Sequence, residues 1–302
     1  MTPLQTNTVA VLVLFQQGTL EPKALAAVAG LVGTVLIVDN HASARSELAD
    51  GCRSAGAAYL HHGNFGQLAG AYNLALQWLQ EHCPATEQVL FLDEDSDASR
   101  LASFLRDPRT ERTLAHSGVA AVSAAYRDRA TGMRAAYLEL GRWQLRYLPR
   151  EFSGLREVAF LINSMSLWKL EALRALGPFD EQLGLDGIDT EMCLRARHAG
   201  MRLFVNGDHL FDHSIGQRRR FTLWGRAMQS SGHSPGRRWQ MARNTVWLAR
   251  REWRREPRFA WLCLQRLTYE ALGVVMVESD RGAKLRALAR GAWAGLKAGE
   301  TT

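Results

Sequence analysis

The sequence lacks the features of a small disulfide-rich protein and of a membrane-spanning protein. Its 302 residues include four cysteines, which are scattered and form no Cys-x-x-Cys pair. Neither a disulfide framework nor a zinc knuckle is therefore expected. No apolar run approaches the ~18 residues that a spanning helix needs, and the N-terminal residues lack the basic and apolar segments of a signal peptide. These absences predict a cytoplasmic protein.

The glycine pattern does not match two common classes of nucleotide-binding protein. Glycines cluster near the start of a predicted helix, in the pattern Asn64-x-Gly66-x-x-x-Gly70-x-x-Asn73. This spacing is neither the GxGxxG fingerprint of dinucleotide-binding enzymes nor the phosphate loop of NTPases. Glycines at a helix start allow close approach of a phosphate or a sugar. The helix dipole also favours an anionic group, such as a phosphate, at this position. Close packing of the helix is an equally good explanation.

Charge and tryptophan are distributed unevenly along the chain. Residues 1–213 carry 19 Lys and Arg against 24 Asp and Glu, whereas residues 214–302 carry 18 against 6. The second segment also holds six of the nine tryptophans. An acidic body with a basic, Trp-rich end favours an anionic partner, either a membrane or a nucleic acid. A basic helical cap whose Trp side chains pack on the core is the alternative.

The first half alternates short apolar runs with helix-like segments, which is typical of βαβ units around a mainly parallel sheet. We therefore predict an α/β fold with a Rossmann-like central sheet and flanking helices. Right-handed crossovers bring the strand-end loops of such a sheet to one edge, so Asp39, Asn64 and Asp93 should converge in one cleft. The predicted strands are residues 9–15, 34–38, 57–60, 89–92 and 119–123.

The second half of the chain is less regular. Residues 127–148 are consistent with either a hairpin or a mobile loop, and residues 160–168 are predicted as a strand. A helix is expected over residues 189–199, because Gly200 would end it. After residue 213 the pattern predicts a mostly helical extension.

The most informative motif is a group of aspartates directly after an apolar run at residues 89–92. Asp93, Asp95 and Asp97 would lie on the loop at the carboxyl end of this strand, where ligands of open α/β sheets bind. Aspartates one residue apart can reach the same Mg²⁺ or Mn²⁺ ion, and such ions bind phosphate oxygens. The motif therefore predicts a metal and diphosphate site, with a solvated acidic turn as the alternative.

A second acidic cluster and a histidine occur later in the chain. Asp189 is predicted at a helix N-cap, where Asp is favoured for its capping hydrogen bond. With Asp186 and Glu191 it also forms an acidic approach loop, from which it could take a proton from an incoming hydroxyl. His213 is either a satisfied core histidine or an additional metal ligand, since neutral imidazole binds manganese.

Taken in order over residues 9–250, the motifs resemble the inverting glycosyltransferases of family 2, which have the GT-A fold. The last of them most resemble the bacterial rhamnosyltransferases in that family. The motifs that carry the resemblance are Val38-Asp39-Asn40 with Ser43, Asn64-x-Gly66-x-x-x-Gly70-x-x-Asn73, Leu92-Asp93-Glu94-Asp95-Ser96, Gly177-x-Phe179-Asp180-Glu181, Asp186-x-x-Asp189-x-Glu191-x-Cys193-x-Arg195, His213-x-x-Gly216 and His233-Ser234-Pro235.

The resemblance implies a role for each matching residue. Asp39 would read the pyrimidine of a nucleotide sugar, and Asp189 occupies the position of the catalytic base. Asp93 and Asp95 would form the DxD pair, in which Asp95 binds the metal, and His213 would complete the metal or diphosphate site. The nucleotide-sugar site would comprise Asp39, Asn40, Asn64, Gly66, Gly70, Asn73 and Asp93, and the acceptor side Asn163, Ser164, Asp186 and Glu191.

The resemblance further implies a metal-dependent transferase with Mn²⁺ or Mg²⁺ as its cofactor. Our first expectation is transfer of rhamnose from dTDP-rhamnose to a hydroxyl of a cell-surface glycan or of a polyprenyl-diphosphate-linked oligosaccharide. A UDP- or GDP-hexose donor is the alternative. Residues 1–217 would form the GT-A catalytic domain, and residues 218–302 a basic, Trp-rich helical region. That region would either attach the enzyme peripherally to the inner face of the plasma membrane or form a homodimer contact.

Two other classes of protein compete with this interpretation. A nucleic-acid-binding protein would explain the basic tail, but it leaves Asp93, Asp95 and Asp189 without a role, so no nucleic-acid partner is expected. A nucleotidyltransferase would need a Gly-rich loop with a cation after the first strand, where residues 16–19 offer one glycine and no cation.

Overall fold

The computed structural model of the chain describes residues 5–15, 22–94, 100–141, 145–214, 218–223 and 225–298. The chain divides into two compact units. The first unit comprises Met1–Arg127 and Arg134–His213, and the second comprises Asp128–Met133 and Ser214–Thr302. Asp95 and Asp97 of the acidic motif lie outside the described residues.

The first unit combines a central sheet, a separate hairpin and flanking helices. Its strands are β1 (Gln5–Leu14), β2 (Val32–Asp39), β3 (Ala58–His61), β4 (Gln88–Asp93), β5 (Val119–Asp128), β6 (Leu138–Leu140), β7 (Leu145–Tyr147), β8 (Leu155–Val158), β9 (Ser166–Lys169) and β10 (Arg202–His213). Its helices are α1 (Pro22–Ala29), α2 (Ser46–Ser54), α3 (Gln67–His82), α4 (Leu101–Leu105), α5 (Pro108–Ala115), α6 (Leu170–Leu176) and α7 (Ile188–His198). The irregular segment at 127–148 contains the β6–β7 hairpin.

The central sheet has the strand order β3-β2-β1-β4-β9-β5-β10-β8. Strand β1 pairs in parallel with β2 and β4, and β2 pairs in parallel with β3. Strand β9 is antiparallel to both β4 and β5, so β4 and β5 run in the same direction. Strands β10 and β8 are antiparallel to each other, so one of them runs in the same direction as β1 to β5. Six of the eight strands therefore share one direction. This arrangement confirms the predicted α/β class with a mainly parallel central sheet.

The register of the parallel strands brings two predicted site residues to one edge of the sheet. Asp39 ends β2 and Asp93 ends β4, and they pair with the last two residues of β1 from opposite sides. Since adjacent strands lie about 4.8 Å apart, the two aspartates are about 10 Å apart across β1. His61 ends β3 and pairs with Asp39, so the loop that contains Asn64 begins at the same edge.

The apolar runs of the sequence form the centre of the sheet, because strands covered on both faces bury every side chain. In β4, for example, Leu90 and Phe91 are fully buried. The prediction of one strand over residues 160–168 is wrong in extent, since only the last part joins the sheet as β9. A turn precedes it, in which Ser166 N–H donates to the Asn163 carbonyl at 3.0 Å and Met165 has a left-handed φ of 57°.

Within its described residues, the second unit contains a β-hairpin followed by three helices. The elements are β11 (Arg219–Leu223), β12 (Arg226–Ser230), α8 (Pro235–Glu252), α9 (Pro257–Val277) and α10 (Arg281–Lys297). The prediction of a mostly helical extension is wrong at the hairpin, where Phe221 is buried between exposed neighbours, in the alternation of a strand. Among the described residues, none of the helices combines the length and the apolar character that crossing a bilayer requires.

A buried ion network joins the elements of the second unit. Arg238 in α8 is fully buried, and its guanidinium donates to Oε2 of Glu270 in α9 at 2.9 Å and to Glu278. Glu278 also accepts a hydrogen bond from Nζ of Lys284 in α10 at 2.9 Å. Burial raises the pKa of Glu278, but the bonds from Ser230 and Lys284 and the charge of Arg238 outweigh it, so the pKa lies below its ordinary value.

Candidate functional site

Three side chains from distant parts of the chain meet at one end of the sheet. Asp93 ends β4, His213 ends β10, and Asp189 lies in the first turn of α7. The Nε2 atom of His213 lies 3.9 Å from Oδ2 of Asp93. The charges of both residues act on the pKa of Asp189, which places all three at one site. Separate motifs of the sequence pointed to these residues, and the fold brings them together.

The Asp189 carboxylate lies in an environment that disfavours its charge. Burial raises its pKa, and the negative charge of Asp93 raises it further, to about 7. A hydrogen bond from the Asn163 backbone and the charge of His213 oppose this shift. The sequence predicted an N-cap here, but the N-cap is Gly187, whose left-handed φ of 92° suits glycine. The Asp189 carboxylate therefore does not cap the helix.

Tyr72 lies within range of the charges of Asp93 and Asp189 and was not identified from the sequence. It is buried in α3, where its ring packs against Phe91 and Phe179 with centroids 4.7 and 5.0 Å away. Burial and the charges of Asp93 and Asp189 raise the pKa of its hydroxyl well above the ordinary value, so Tyr72 remains protonated. Its position on the buried face of α3 is that of an ordinary core residue, and the sequence pattern carries no signal for it.

Asp39 is fully buried, and its carboxylate oxygens are engaged by neighbouring groups. They accept hydrogen bonds from Nε of Arg45 at 3.0 Å, from the Tyr59 hydroxyl at 2.7 Å and from the backbone N–H of His41 at 3.2 Å. Burial raises the pKa of Asp39, but the bonds from Arg45 and Tyr59 outweigh it and leave the pKa below its ordinary value. The sequence did not indicate Arg45 or Tyr59, because neither belongs to a recognisable motif.

The remaining residues of the predicted nucleotide-sugar site shape the loops beside Asp39. Asn40 is buried, and its Oδ1 lies 2.9 Å from Nδ1 of His62. Asn64 and Gly66 both have a left-handed φ of 64° in the loop that leads into α3. A Cβ at Gly70 would lie 2.1 Å from the backbone oxygen of the residue five positions earlier. Close packing of the loop on α3 thus accounts for Gly70.

Two other predicted residues have structural partners that the sequence does not reveal. The Asn73 side-chain amide donates to the Phe179 carbonyl at 3.0 Å and accepts from the Phe179 N–H at 2.7 Å. Glu191 is buried and forms a 2.8 Å ion pair with Arg195, which also donates to the Pro178 carbonyl at 2.9 Å. Both residues thus stabilise the segment that leads to the acidic loop.

The acceptor-side residues Asn163 and Ser164 are buried in the turn before β9. The Asn163 side chain lies near the Tyr72 hydroxyl, yet neither of its buried amide atoms makes a hydrogen bond of normal geometry within the described residues. An unsatisfied buried amide costs about 1–3 kcal/mol, so a ligand that hydrogen-bonds here would recover this energy. Asp186, also predicted on this side, adds to the negative potential at Asp189.

The donor atoms at this end of the sheet fit a divalent cation in their chemistry. Carboxylate oxygen suits both Mg²⁺ and Mn²⁺, and imidazole also suits Mn²⁺. Two ligands about 2.1 Å from one ion lie roughly 3–4 Å apart, and the Asp93–His213 distance of 3.9 Å agrees with this. With Asp95 outside the described residues, the part of the chain that is described contains no group of three metal-ligand side chains. A cation at Asp93 would also reduce the negative potential that acts on Asp189.

A comparison of the sequence with known protein families gives no match, and a comparison with curated proteins gives none either. Among solved structures, the chain is similar to GalNAc-T7 crystallised with UDP, GalNAc and Mn²⁺, with a TM-score of 0.45 and 13% identity over 72% of this chain and 44% of that one. It is similar to S. aureus TarS with a TM-score of 0.46 and 12% identity over 98% of this chain and 44% of that one. A mycobacterial protein gives a TM-score of 0.43 and 12% identity over 74% of this chain and 82% of that one.

The chain therefore spans less than half the length of the first two of these proteins. At this level of similarity no family is assigned, and the functional conclusion depends on the residues of the site.

Proposed function

We propose that this protein is an inverting glycosyltransferase, which moves a sugar from a nucleotide-sugar donor to an acceptor hydroxyl. The observation that carries the proposal is the meeting of Asp93, Asp189 and His213 at one end of the sheet. Asp93 and His213 offer ligand atoms for a cation that would bind the donor diphosphate, and Asp189 offers a carboxylate that could accept a proton. Direct displacement of a diphosphate by a hydroxyl uses both kinds of group.

On the donor side, Asp93 and His213 would hold Mn²⁺ or Mg²⁺ together with Asp95. The ion supplies Lewis-acid stabilisation of the negative charge that grows on the leaving diphosphate. Asp39 lies about 10 Å from Asp93 across β1. It would mark the end of the donor site that binds the nucleobase. Because its carboxylate is engaged by Arg45, we infer that Asp39 acts on the base by orienting the Arg45 guanidinium.

On the acceptor side, Asp189 would act as the general base. As the acceptor oxygen forms its bond to the anomeric carbon, the bond from that carbon to the diphosphate oxygen breaks, and the hydroxyl proton passes to Asp189. Attack from the face opposite the leaving group inverts the anomeric configuration. The Asn163 amide is available to orient the acceptor hydroxyl, and protonated Tyr72 remains a hydrogen-bond donor near the carboxylates.

The donor and the acceptor are proposed from the motif resemblance. Rhamnose from dTDP-rhamnose is the first candidate, and a UDP- or GDP-hexose is the second. The acceptor hydroxyl would belong to a cell-surface glycan or to a polyprenyl-diphosphate-linked oligosaccharide, bound beside Asn163, Ser164 and Asp186.

A panel of nucleotide sugars assayed with Mn²⁺, Mg²⁺ or EDTA tests this proposal. We expect metal-dependent turnover of dTDP-rhamnose that falls about 100-fold or more in Asp93→Asn, because stabilisation of the leaving group is lost. Asp50→Asn is the matched control, since Asp50 is an exposed carboxylate on α2. Turnover of a different nucleotide sugar would support the mechanism with another donor. Absence of metal-dependent turnover and binding with every donor would overturn the proposal.

A further inference from the structure

Helix α9 is apolar on two opposite faces. Its inner face contributes Leu267 and Val274 to the apolar cluster that it forms with α8 and α10. On its outer face, four large apolar side chains are 57%, 54%, 47% and 42% exposed, which are those of Trp261, Leu264, Val275 and Met276. Contiguous exposed apolar groups mark surfaces that bind a partner, so the outer face of α9 requires an explanation beyond the packing of the unit.

The outer residues form one stripe along the helix. We call it the α9 stripe and define it by Trp261, Leu264, Thr268, Leu272 and Val275. At 3.6 residues per turn, all five lie within roughly 60° of the direction of Trp261. Thr268 is exposed at the middle of the stripe, and its hydroxyl donates to the Leu264 carbonyl at 3.0 Å. Its polar group is therefore satisfied within the helix, and the stripe can be buried without losing a hydrogen bond.

The α9 stripe contains no charged residue. Between Trp261 and Val275 the charged residues of α9 are Arg266 and Glu270, and helical spacing directs both away from the stripe. Glu270 lies on the opposite side of the helix, where it accepts a hydrogen bond from buried Arg238 at 2.9 Å. The stripe is therefore a narrow uncharged seam of the kind that packs against another helix.

The spacing of the stripe is the same from either end. Its successive members are three, four, four and three residues apart, so Thr268 is the centre of the pattern. If a second copy packs its own stripe antiparallel, Trp261 lies level with Val275 of that copy, and Leu264 with Leu272. The small Thr268 side chain would then lie on the two-fold axis, where it allows close approach of the helices. The stripe is thus complementary to itself, as a two-fold contact requires.

The charges at the two ends of α9 favour the antiparallel direction. Arg254 and Arg255 are exposed just before the helix, and Asp280 is exposed just after it. An antiparallel pair places the start of one helix beside the end of the other, where Asp280 and the helix dipole attract cations. Arg281 is exposed as well, but its Nε donates to the Glu278 carbonyl at 3.1 Å. A parallel pair would instead bring the arginines of the two copies together.

We propose that the α9 stripe is the contact between two copies of this chain, packed antiparallel about a two-fold axis at Thr268. The stripe is about 20 Å long at 1.5 Å per residue. The contact therefore belongs among the small specific interfaces, below roughly 1,200 Å² in total, which are usually transient. We expect a dissociation constant in the micromolar range. No residue of the sugar-transfer site takes part, so this inference stands independently of that function.

An anionic bilayer is the alternative partner for an exposed apolar helix face. Helices that bind such a surface combine an apolar face with a polar face rich in Lys and Arg. The opposite side of α9 packs instead on its neighbouring helices, and its stripe has no cation. A bilayer also places no demand on the symmetric spacing about Thr268. The second copy is therefore the better partner.

The experiment measures self-association of the full chain by sedimentation velocity, from below 1 μM to about 100 μM. The test variant is Thr268→Lys, which would place two cations together at the axis. The matched control is Ala289→Lys, because Ala289 is also exposed but lies on α10. Thermal unfolding verifies that both variants are folded, and cosedimentation with anionic vesicles tests the alternative partner.

We expect the wild-type chain and Ala289→Lys to form dimers in the micromolar range. Thr268→Lys should dimerise at least about tenfold more weakly, because like charges meet at the contact. A wild-type chain that stays monomeric at about 100 μM would overturn the proposal. Equal loss of dimer in the two lysine variants would overturn it as well. Vesicle binding by a monomeric chain that is lost in Thr268→Lys would assign the stripe to the bilayer instead.

Cross-linking tests the position of the axis. A residue on a two-fold axis faces its own counterpart, so Thr268→Cys should form a disulfide between copies on mild oxidation. The background is Cys83→Ser, because the other three native cysteines are buried. Ala289→Cys in the same background is the control, and we expect it to cross-link at least about tenfold more slowly because α10 lies outside the contact. Equal rates for the two cysteine variants would contradict an axis at Thr268.

Discussion

Replacing Arg238 by methionine should strongly destabilise the second unit. The guanidinium of Arg238 is fully buried and donates to Glu270, to Glu278 and to the Ser231 hydroxyl, the last at 3.2 Å. Methionine retains much of the apolar stem but leaves two glutamates without their shared cation. Lys284 still binds Glu278 at 2.9 Å, so part of the compensation remains.

The size of the effect follows from the burial of these charges. Removing one partner of a buried ion pair costs about 3–5 kcal/mol, and we expect about 3 kcal/mol here because Lys284 remains. Arg53→Met is the matched control, since the ion pair of Arg53 with Asp50 is exposed on both sides. Such exposed pairs contribute at most about 1 kcal/mol.

Urea unfolding followed by tryptophan fluorescence measures this difference. The fluorescence reports mainly on the second unit, because residues 214–302 hold six of the nine tryptophans. With a denaturant dependence of about 1.5 kcal/mol per molar urea, the midpoint of Arg238→Met should fall by about 2 M. Adding Glu278→Gln should recover part of the loss, since it removes one uncompensated charge. A midpoint shift no larger than that of Arg53→Met would refute the reasoning.

Two further predictions concern the first unit. Gly70→Ala should lower its thermal stability by about 2 kcal/mol or more, because the new Cβ would lie 2.1 Å from the Phe65 carbonyl oxygen. Gly51→Ala, whose Cβ would meet nothing within 4 Å, should not lower it, and equal melting temperatures for the two variants would contradict this account. Hydrogen bonds from Arg109 hold the pKa of Asp107 well below its ordinary value of 3.8, so the associated stability is present above that pH and is lost as the pH falls below it. Asp107→Asn should therefore show a flatter acid-unfolding profile than the wild-type chain, and identical profiles below this pH would argue against the role of Asp107.

The parallel part of the sheet could be predicted from the sequence because its strands are buried on both faces. Strands β1, β2 and β4 consequently appear as continuous apolar runs, and turn or helix signals separate them. The β11–β12 hairpin could not be predicted in this way. Its first strand, Arg219–Leu223, has one buried residue between charged and polar neighbours, and pairing with β12 decides its conformation.

The candidate site could be predicted in part for a similar reason. Asp93 and His213 end strands, and Asp189 begins a helix, so the topology alone directs them to one edge of the sheet. The contributions of Arg45 and Tyr72 depend on distances in the folded chain, which no local pattern reveals.

Two predicted site residues also have partners within the fold. Asn73 and Glu191 belong to motifs that suggest ligand binding, yet their polar atoms contact Phe179 and Arg195. A motif specifies which residue type is present, whereas the partner of its side chain is set by packing.

Steady-state turnover of Asp189→Asn, with donor binding measured in parallel, tests the central claim most directly. The amide keeps the shape of the carboxylate but cannot take the acceptor proton, so kcat should fall by about 10²–10⁴-fold. Donor affinity should change little, because Asp189 acts on the acceptor side. Asp50→Asn should retain wild-type turnover. Near-normal turnover by Asp189→Asn with the donor bound would contradict the account.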